Sequence, residues 1–342
     1  MPGKKLLALF CAVLALSIFM EAFAVLPAFA EQDDASAFHF DENGFLTGEN
    51  PEDEFWFEDS ENGLWQYASA SLAVTIRRTR EPSEKNKKRI KESFIVDIHA
   101  SPESPLSAIM TDPYPPNSKN PLPGRRQDKP TVLLEQHPAV FAVSDDMYGL
   151  RIQKVAGGKT RYDFPGVVIR SGIVMSSKTR NSAKKRAWPN MDTLAVYPDG
   201  SMKAFVCDAY TPEEYLAQGA VHVFAFGPVL ISDGKINEDV LDTKKYRTYE
   251  PRVAIGMVEP WHYIIVATAG RPTSKYLGAR MDWLAQTLYD LGCTEALNLD
   301  GGGTTCMAFR NQIILQGDYS SKKLRNVGSL IAFGLMEAAA GE

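Results

Sequence analysis

Three short stretches of this chain share one construction. "GVVIRSGIVMSS", "LAVYPDGSMKAFV" and "GPVLISDGKIN" each run an apolar segment into a Ser-Gly or Asp-Gly pair and out into a second extended segment. A tight turn of this kind demands positive φ, which glycine adopts freely and aspartate tolerates. Such punctuation predicts antiparallel hairpins. The stretches "SLAVTIRRTRE" and "SFIVDIHAS" alternate like two more strands, joined by "PSEKNKKRIKE", which reads as a solvated hairpin loop in preference to a binding patch. The first and third of the opening stretches resemble each other but are too short to establish an internal repeat.

Two segments carry helical signals. "TPEEYLAQG" offers Thr211 as N-cap, Pro212 at the first position, Glu214 to close a capping box and Gly219 as a stop. "ARMDWLAQTLYDLG" places Met281, Leu284, Ala285, Leu288 and Leu291 on one face, with Gly292 after the end. The fold class expected is α+β: a large mixed or antiparallel β-sheet core with a few packed helices. Residues 111–130, "TDPYPPNSKNPLPGRRQDKP", are dense in Pro, Asn and Gly and read as a long loop, able to fold over a site.

The chain has 342 residues, 44% of them hydrophobic, which supports a large core in one or two domains. A formal net charge of -5 is too mild for a nucleic-acid or membrane-surface binder. The N-terminus reads as an export signal: Lys4 and Lys5, the apolar run "LLALFCAVLALSIFM", then Ala28-Phe29-Ala30 as a small-x-small cleavage site. Glu21 and Pro27 argue against an uncleaved membrane anchor. The expected organisation is a signal peptide over 1–30, an acidic leader over 31–65 that becomes a strand or cap near Phe55, and a globular domain over 66–338. A secreted or envelope-associated protein follows, touching a membrane only during export. Cys207, Cys293 and Cys306 remain after cleavage, an odd count that permits at most one disulfide. The five histidines, His39, His99, His137, His222 and His262, are too scattered to suggest a zinc site; convergence in space stays open. No cofactor is called for.

"EALNLDGGGTTCMAF" poses the functional question. A strand, "EALNL", reaches Asp300, then Gly301, Gly302 and Gly303, then Thr304 and Thr305, and "TCMAFRNQIIL" reads as the next strand. A Walker loop would end in Gly-Lys-Ser/Thr, and a dinucleotide fingerprint would open a helix; neither fits. A glycine bulge with Asp300 capping its own turn is the structural alternative. Bare backbone N–H groups can also surround an anion or a sugar hydroxyl, and a carboxylate at a strand end can exchange a proton or bind ring hydroxyls.

"NLDGGGTT" resembles the Asn-Leu-Asp-Gly-Gly-Gly-Ser/Thr signature of the phosphodiester glycosidases. "FAFGPVLISDGK", "EPRVAIGM", "ATAGR", "GARMDWLAQTLYDLGCTEALNLDGGG" and "LRNVGSLIAF" resemble further segments of that family in the same order. The resemblance is strong over residues 220–336 and weaker over 90–219. The family's Ile-Asn-Gly-Asp/Gly-Tyr/Phe-Phe stretch has its nearest match in "AVSDDMYG", where Ser144, Asp145 and Asp146 stand for Asn, Gly and Asp. Arg325-Asn326-Val327 also departs from the usual closing spacing.

The resemblance implies hydrolysis at the anomeric carbon of a sugar whose leaving group is a phosphodiester. It implies Asp300 as principal carboxylate, Arg252 as phosphate clamp and Asp146 as a second carboxylate. Asn298, Gly301, Gly302, Gly303, Thr304, Thr305 and Arg325 would contact substrate. Glu135 and His137 carry little weight. No metal site is legible; Asp145, Asp146 and Asp300 offer oxygens of the kind Ca²⁺ takes, but no spacing demands it. The expected substrate is a sugar-1-phosphodiester of the N-acetylglucosamine type, in cell-envelope or exopolysaccharide metabolism. The alternatives are a glycosidase for an ordinary polysaccharide linkage and a non-catalytic exopolysaccharide-binding or assembly protein.

Overall fold

The computed structural model of the chain describes residues 38–48, 50–112, 123–124, 126–146, 152–154, 160–162, 166–177, 191–238, 240, 244–271, 275–318 and 324–337, with 152–154 and 160–162 described in their backbone alone. The segment expected to be an export signal (1–30) and residues 113–122 of the Pro-rich segment lie outside them.

Strands dominate. One sheet has nine, in the order Phe55–Asp59, Leu64–Ala68, Leu72–Pro82, Ile90–Ala100, His262–Ala269, Arg252–Glu259, Glu295–Asn298, Val229–Ser232, Lys235–Ile236. A five-stranded sheet runs Ile173–Ser177, Val167–Arg170, His222–Phe226, Asp192–Val196, Met202–Phe205. A second runs Gln312–Gln316, Cys306–Phe309, Ala139–Ser144, Ser329–Leu335, Ser107–Met110. Neighbouring strands are antiparallel throughout. The α-helices among the described residues are short: Pro130–Gln136, Pro212–Ala217 and Met281–Asp290. The α+β expectation is therefore corrected toward β: helices cover the backs of sheets and do not build a layer of equal weight.

Alternation explains how the layers meet. In His262–Ala269, Tyr263, Ile265 and Ala267 enter a core shared by these three sheets, with Phe224 from one five-stranded sheet and Phe141 and Phe333 from the other. Ile264 and Val266 face the opposite way and pack against Met281, Leu284, Ala285 and Leu288 of the helix. Residues used on both faces make this strand apolar almost throughout, which is what a central strand requires. Each Ile or Leu so buried contributes roughly 1.5–3 kcal/mol.

The hairpins form as the turns foretold. Ser171-Gly172 and Asp233-Gly234 both adopt positive φ. The Asp-Gly turn at 199–200 differs: only Gly200 is left-handed, and the Asp199 carboxylate accepts from the Ser201 amide at 3.0 Å. The helix Pro212–Ala217 carries the expected capping box between Thr211 and Glu214. "TCMAFRNQIIL" is not one strand but two, Cys306–Phe309 and Gln312–Gln316, reversing at Arg310 (φ 45°) and Asn311 (φ 66°). Asn311 Oδ1 accepts from the Ala139 amide at 2.9 Å, so a neighbouring strand fixes a turn that has no glycine to announce it. The acidic segment forms the edge of the nine-stranded sheet from Phe55 onward, and before that Phe38, Phe40 and Leu46 pack against Phe55, with the Leu46 amide bonded to the Ser69 carbonyl at 3.0 Å. Among the described residues, Cys207, Cys293 and Cys306 form no disulfide.

Candidate active site

Asp300 lies where two sheets touch end to end. The strand Glu295–Asn298 delivers it, and its amide donates to the Asp145 carbonyl at 2.9 Å, just past the strand Ala139–Ser144 of another sheet. The third sheet joins through Gly227-Pro228, a cis peptide that follows His222–Phe226. There Asn298 Nδ2 donates to the Gly227 carbonyl at 2.9 Å, and the Gly227 amide returns a bond to the Asn298 carbonyl at 3.0 Å. Asn298 and Asp300 thus sit at a three-sheet junction, where strand ends offer backbone groups that no ladder consumes.

Each of the three glycines has its own steric reason. A Cβ on Gly301 would stand 2.5 Å from the Pro251 carbonyl oxygen, with the Arg252 Cα at 3.3 Å. Gly302 is left-handed (φ 63°), and its Cβ would lie 3.1 Å from Arg271 Nη2. On Gly303 the Cβ would meet Arg325 Nη2 at 2.9 Å. Residues Gly302–Thr304 form a single 3-10 turn, with the Gly302 amide bonded to the Pro251 carbonyl at 2.8 Å. Bare backbone here lets two guanidinium groups, Arg271 and Arg325, close onto the loop beside Asp300.

Those arginines are held differently. Arg325 Nη1 donates to Thr304 Oγ1 at 3.1 Å. Arg271 bridges Glu250 at 2.5 Å and Asp318 at 3.2 Å. Arg252 places its backbone against Gly301, but its guanidinium turns away: it is buried, and Nη2 donates to the Thr248 carbonyl (3.0 Å) and hydroxyl (3.2 Å). Burial pulls its pKa down to about 10, with Glu250 opposing that and Arg271 adding to it. It stays charged at neutral pH, and its guanidinium donates to protein groups, the Ala279 carbonyl and Thr248.

Asp146 is fully buried. Its Oδ1 accepts from Arg170 Nη2 at 2.5 Å, and Oδ2 from the Ala225 amide at 2.6 Å. Arg170 also reaches Asp145 Oδ2 at 3.3 Å, donates to the Val223 carbonyl at 2.7 Å and stacks its guanidinium 4.0 Å from the Phe224 ring centroid. Ser329 Oγ donates to the same Asp145 oxygen. The two carboxylates therefore face a guanidinium, which answers the charge that Ca²⁺ would otherwise have answered. Both oxygens of Asp146 are engaged by protein, an arrangement suited to positioning the Asp145–Asp300 contact.

Two polar atoms near the loop, Asn298 Oδ1 and Thr305 Oγ1, are buried without a hydrogen-bond partner. Such atoms are uncommon and recur at functional sites. Glu135 and His137 lie at the far end of the strand Ala139–Ser144 from Asp145.

A model of the phosphodiester glycosidase family matches residues 138–334, more than half of the chain. The chain belongs to the phosphodiester glycosidase family. The matched span holds Asp146, Arg252, Asp300, the glycine loop and Arg325.

The fold is that of a solved relative, the zebrafish N-acetylglucosamine-1-phosphodiester alpha-N-acetylglucosaminidase catalytic domain auto-inhibited by its pro-peptide. The TM-score is 0.57 at 16% identity, over 82% of this chain and 87% of that one. A protein from Synechocystis gives a TM-score of 0.49 at 13% identity, over 78% of this chain and 63% of that one. The SPbeta prophage-derived protein YomE of Bacillus subtilis (strain 168) is 24% identical over 160 residues, 46% of this chain and 24% of YomE. The chain thus aligns with only about a quarter of that relative's length.

Sequence reading passed over Arg271, Arg170, Glu250 and Asp318. Arg271 ends "ATAGR", one of the family-like segments, and Arg170 lies in the hairpin stretch "GVVIRSGIVMSS"; nothing local distinguishes either from a surface arginine. The scattered histidines converge in part: His99 and His262 meet ring to ring beside Asp97, a meeting in space that the sequence left open.

Proposed function

We propose that this phosphodiester glycosidase is an exported hydrolase acting on a sugar-1-phosphodiester of the N-acetylglucosamine-1-phosphodiester type, in cell-envelope or exopolysaccharide material. The observation that carries the reading is the pair of guanidinium groups, Arg271 and Arg325, seated on Gly302 and Gly303 next to Asp300. A departing phosphate is already a good leaving group, so it needs stabilisation of its charge more than protonation. Planar guanidinium forks supply that. The anomeric carbon gains positive charge as the C1–O bond breaks, and a carboxylate beside it lowers that barrier. Water adds its hydroxyl to C1, and its remaining proton leaves with the phosphate or to solvent.

In this reading Asp300 is the carboxylate at the reacting carbon, and Arg271 and Arg325 take the phosphate. Arg252 supports the loop from behind and adds to the positive field. Asp146 and Arg170 hold Asp145, and through it the Asp300 backbone. The name of the zebrafish relative supports the substrate class.

The test incubates the purified chain, residues 31–342, with UDP-N-acetylglucosamine and a synthetic sugar-1-phosphodiester, and measures free sugar. Release is expected from at least one, and Asp300→Asn is expected to abolish it. Arg325→Ala should raise KM for the phosphodiester by about tenfold or more, the loss of one charge-assisted contact. No release with the fold intact, alongside hydrolysis of a glycoside that lacks phosphate, would move the chain to ordinary glycosidase chemistry.

A further inference from the structure

The strands Ile90–Ala100 and His262–Ala269 lie side by side in the nine-stranded sheet, and their register sets His262 opposite His99. Asp97 is two residues before His99, so its side chain shares that face. The imidazole rings are stacked, with centroids 4.0 Å apart and planes inclined by 21°. One oxygen, Asp97 Oδ1, faces both rings: it is 2.8 Å from His262 Nε2 and 3.7 Å from His99 Nε2. His99 Nε2 is buried and has no hydrogen-bond partner.

We propose that Asp97, His99 and His262 form a binding site for one divalent transition-metal ion of the zinc class. The donor set is two imidazole nitrogens and a carboxylate oxygen, the ligands zinc takes at about 2.0–2.2 Å. A tetrahedral ion at those distances separates its ligands by about 3.3–3.5 Å, and the observed 2.8 and 3.7 Å straddle that value. All three ligating atoms lie within 4.8 Å of one another. The fourth position would fall to water or an exogenous ligand.

The surroundings favour a cation. Asp97, Asp41 and Glu259 all act on His99 with negative charge. A plain cross-strand ring pair would account for the stacking. It does not account for a carboxylate oxygen set between two Nε2 atoms, one of them unmet.

The site is not the sugar site. Along His262–Ala269, Thr268 stands opposite Arg252 at the glycine-loop end, and His262 is six residues away, about 20 Å at the strand rise. The proposal is independent of the glycosidase reading, and an ion there would clip two central strands together.

The experiment uses the tag-free full chain treated with chelator, then titrated with Zn²⁺ by calorimetry and with Co²⁺ by visible absorption. One Zn²⁺ per chain is expected, with tetrahedral Co²⁺ d–d bands that Zn²⁺ displaces. Asp97→Asn should weaken binding by about tenfold or more, and His99→Gln with His262→Gln should remove it while preserving the fold by circular dichroism. The wild-type melting temperature should rise with Zn²⁺, and that of the double variant should not. Absence of stoichiometric binding, or binding that persists in the folded double variant, would overturn the proposal.

Discussion

Single residues decide the chemistry of this chain through what they are pressed against. His222 is the clearest titrating case. Burial, helped by the nearby Arg170 guanidinium, pushes its imidazole down to about 3, and its Nδ1 accepts from the Ser171 amide at 3.3 Å. The folded state holds this histidine neutral, while the unfolded chain protonates near the ordinary 6.5. Between those values the unfolded state binds more protons, so stability falls as pH drops below 6.5 and levels off only near 3. The loss from this group is about 2 kcal/mol at pH 5. Urea unfolding of His222→Gln at pH 7 and pH 5 should show a smaller difference than wild type; an equal difference would exclude His222 as the source.

The glycines make a second case at this scale. Gly301→Ala drives a methyl into the Pro251 carbonyl, which is backbone and cannot step aside. It is expected to cost about 1–3 kcal/mol of stability as well as activity. Gly303→Ala meets the far end of Arg325, a flexible side chain that can move. It should leave stability within about 0.5 kcal/mol of wild type while lowering turnover of a phosphodiester. Denaturant midpoints and sugar release measured together separate the two.

At the scale of elements, the legible parts were those whose residues answer to their own neighbours. The capping box at Thr211 and Glu214 is complete, with the Glu214 amide donating to Thr211 Oγ1 at 3.3 Å and the Thr211 amide to Glu214 Oε2 at 2.8 Å. Thr211→Ala should destabilise the chain by about 1 kcal/mol, read from chemical denaturation. The amphipathic face of Met281–Asp290 was readable for the same reason: spacing alone sets which residues turn inward. The Arg310-Asn311 reversal was not readable. A left-handed arginine costs roughly 1–2 kcal/mol, and Asn311 meets that demand through the Ala139 amide, far away in sequence.

The whole molecule is held at the seams between sheets. Asp192 is one such seam: Oδ1 accepts from the Cys207 amide at 3.0 Å and Oδ2 from the Val229 amide at 2.9 Å, tying a five-stranded sheet to the nine-stranded one. Glu295 ties the same two from the other side, accepting from the Ala204 and Asp233 amides and from Lys203. Asp192→Ala orphans two amides and should cost more than about 2 kcal/mol, with Asn298 and Asp300 loosened because Gly227 packs on Asp192. Its melting temperature and its sugar release should fall together. Retained activity at full stability would show that this seam does not position the site.

The sequence by itself determined the antiparallel hairpins, two of the helices and the position of a glycine loop after a strand-end carboxylate. Each follows from rules that operate over a few residues: turn chemistry, capping, and the period at which side chains change face. It could not determine which charges meet that loop. Arg271 reaches Gly302 and Arg325 reaches Gly303, while Arg252, beside Gly301 in the backbone, sends its guanidinium to Thr248. Asp145 and Asp146 face Arg170, and His99 finds His262 only because two strands pair in one register. Those meetings are long-range. They depend on where sheets cross and on which strand lies beside which, and no local pattern encodes either.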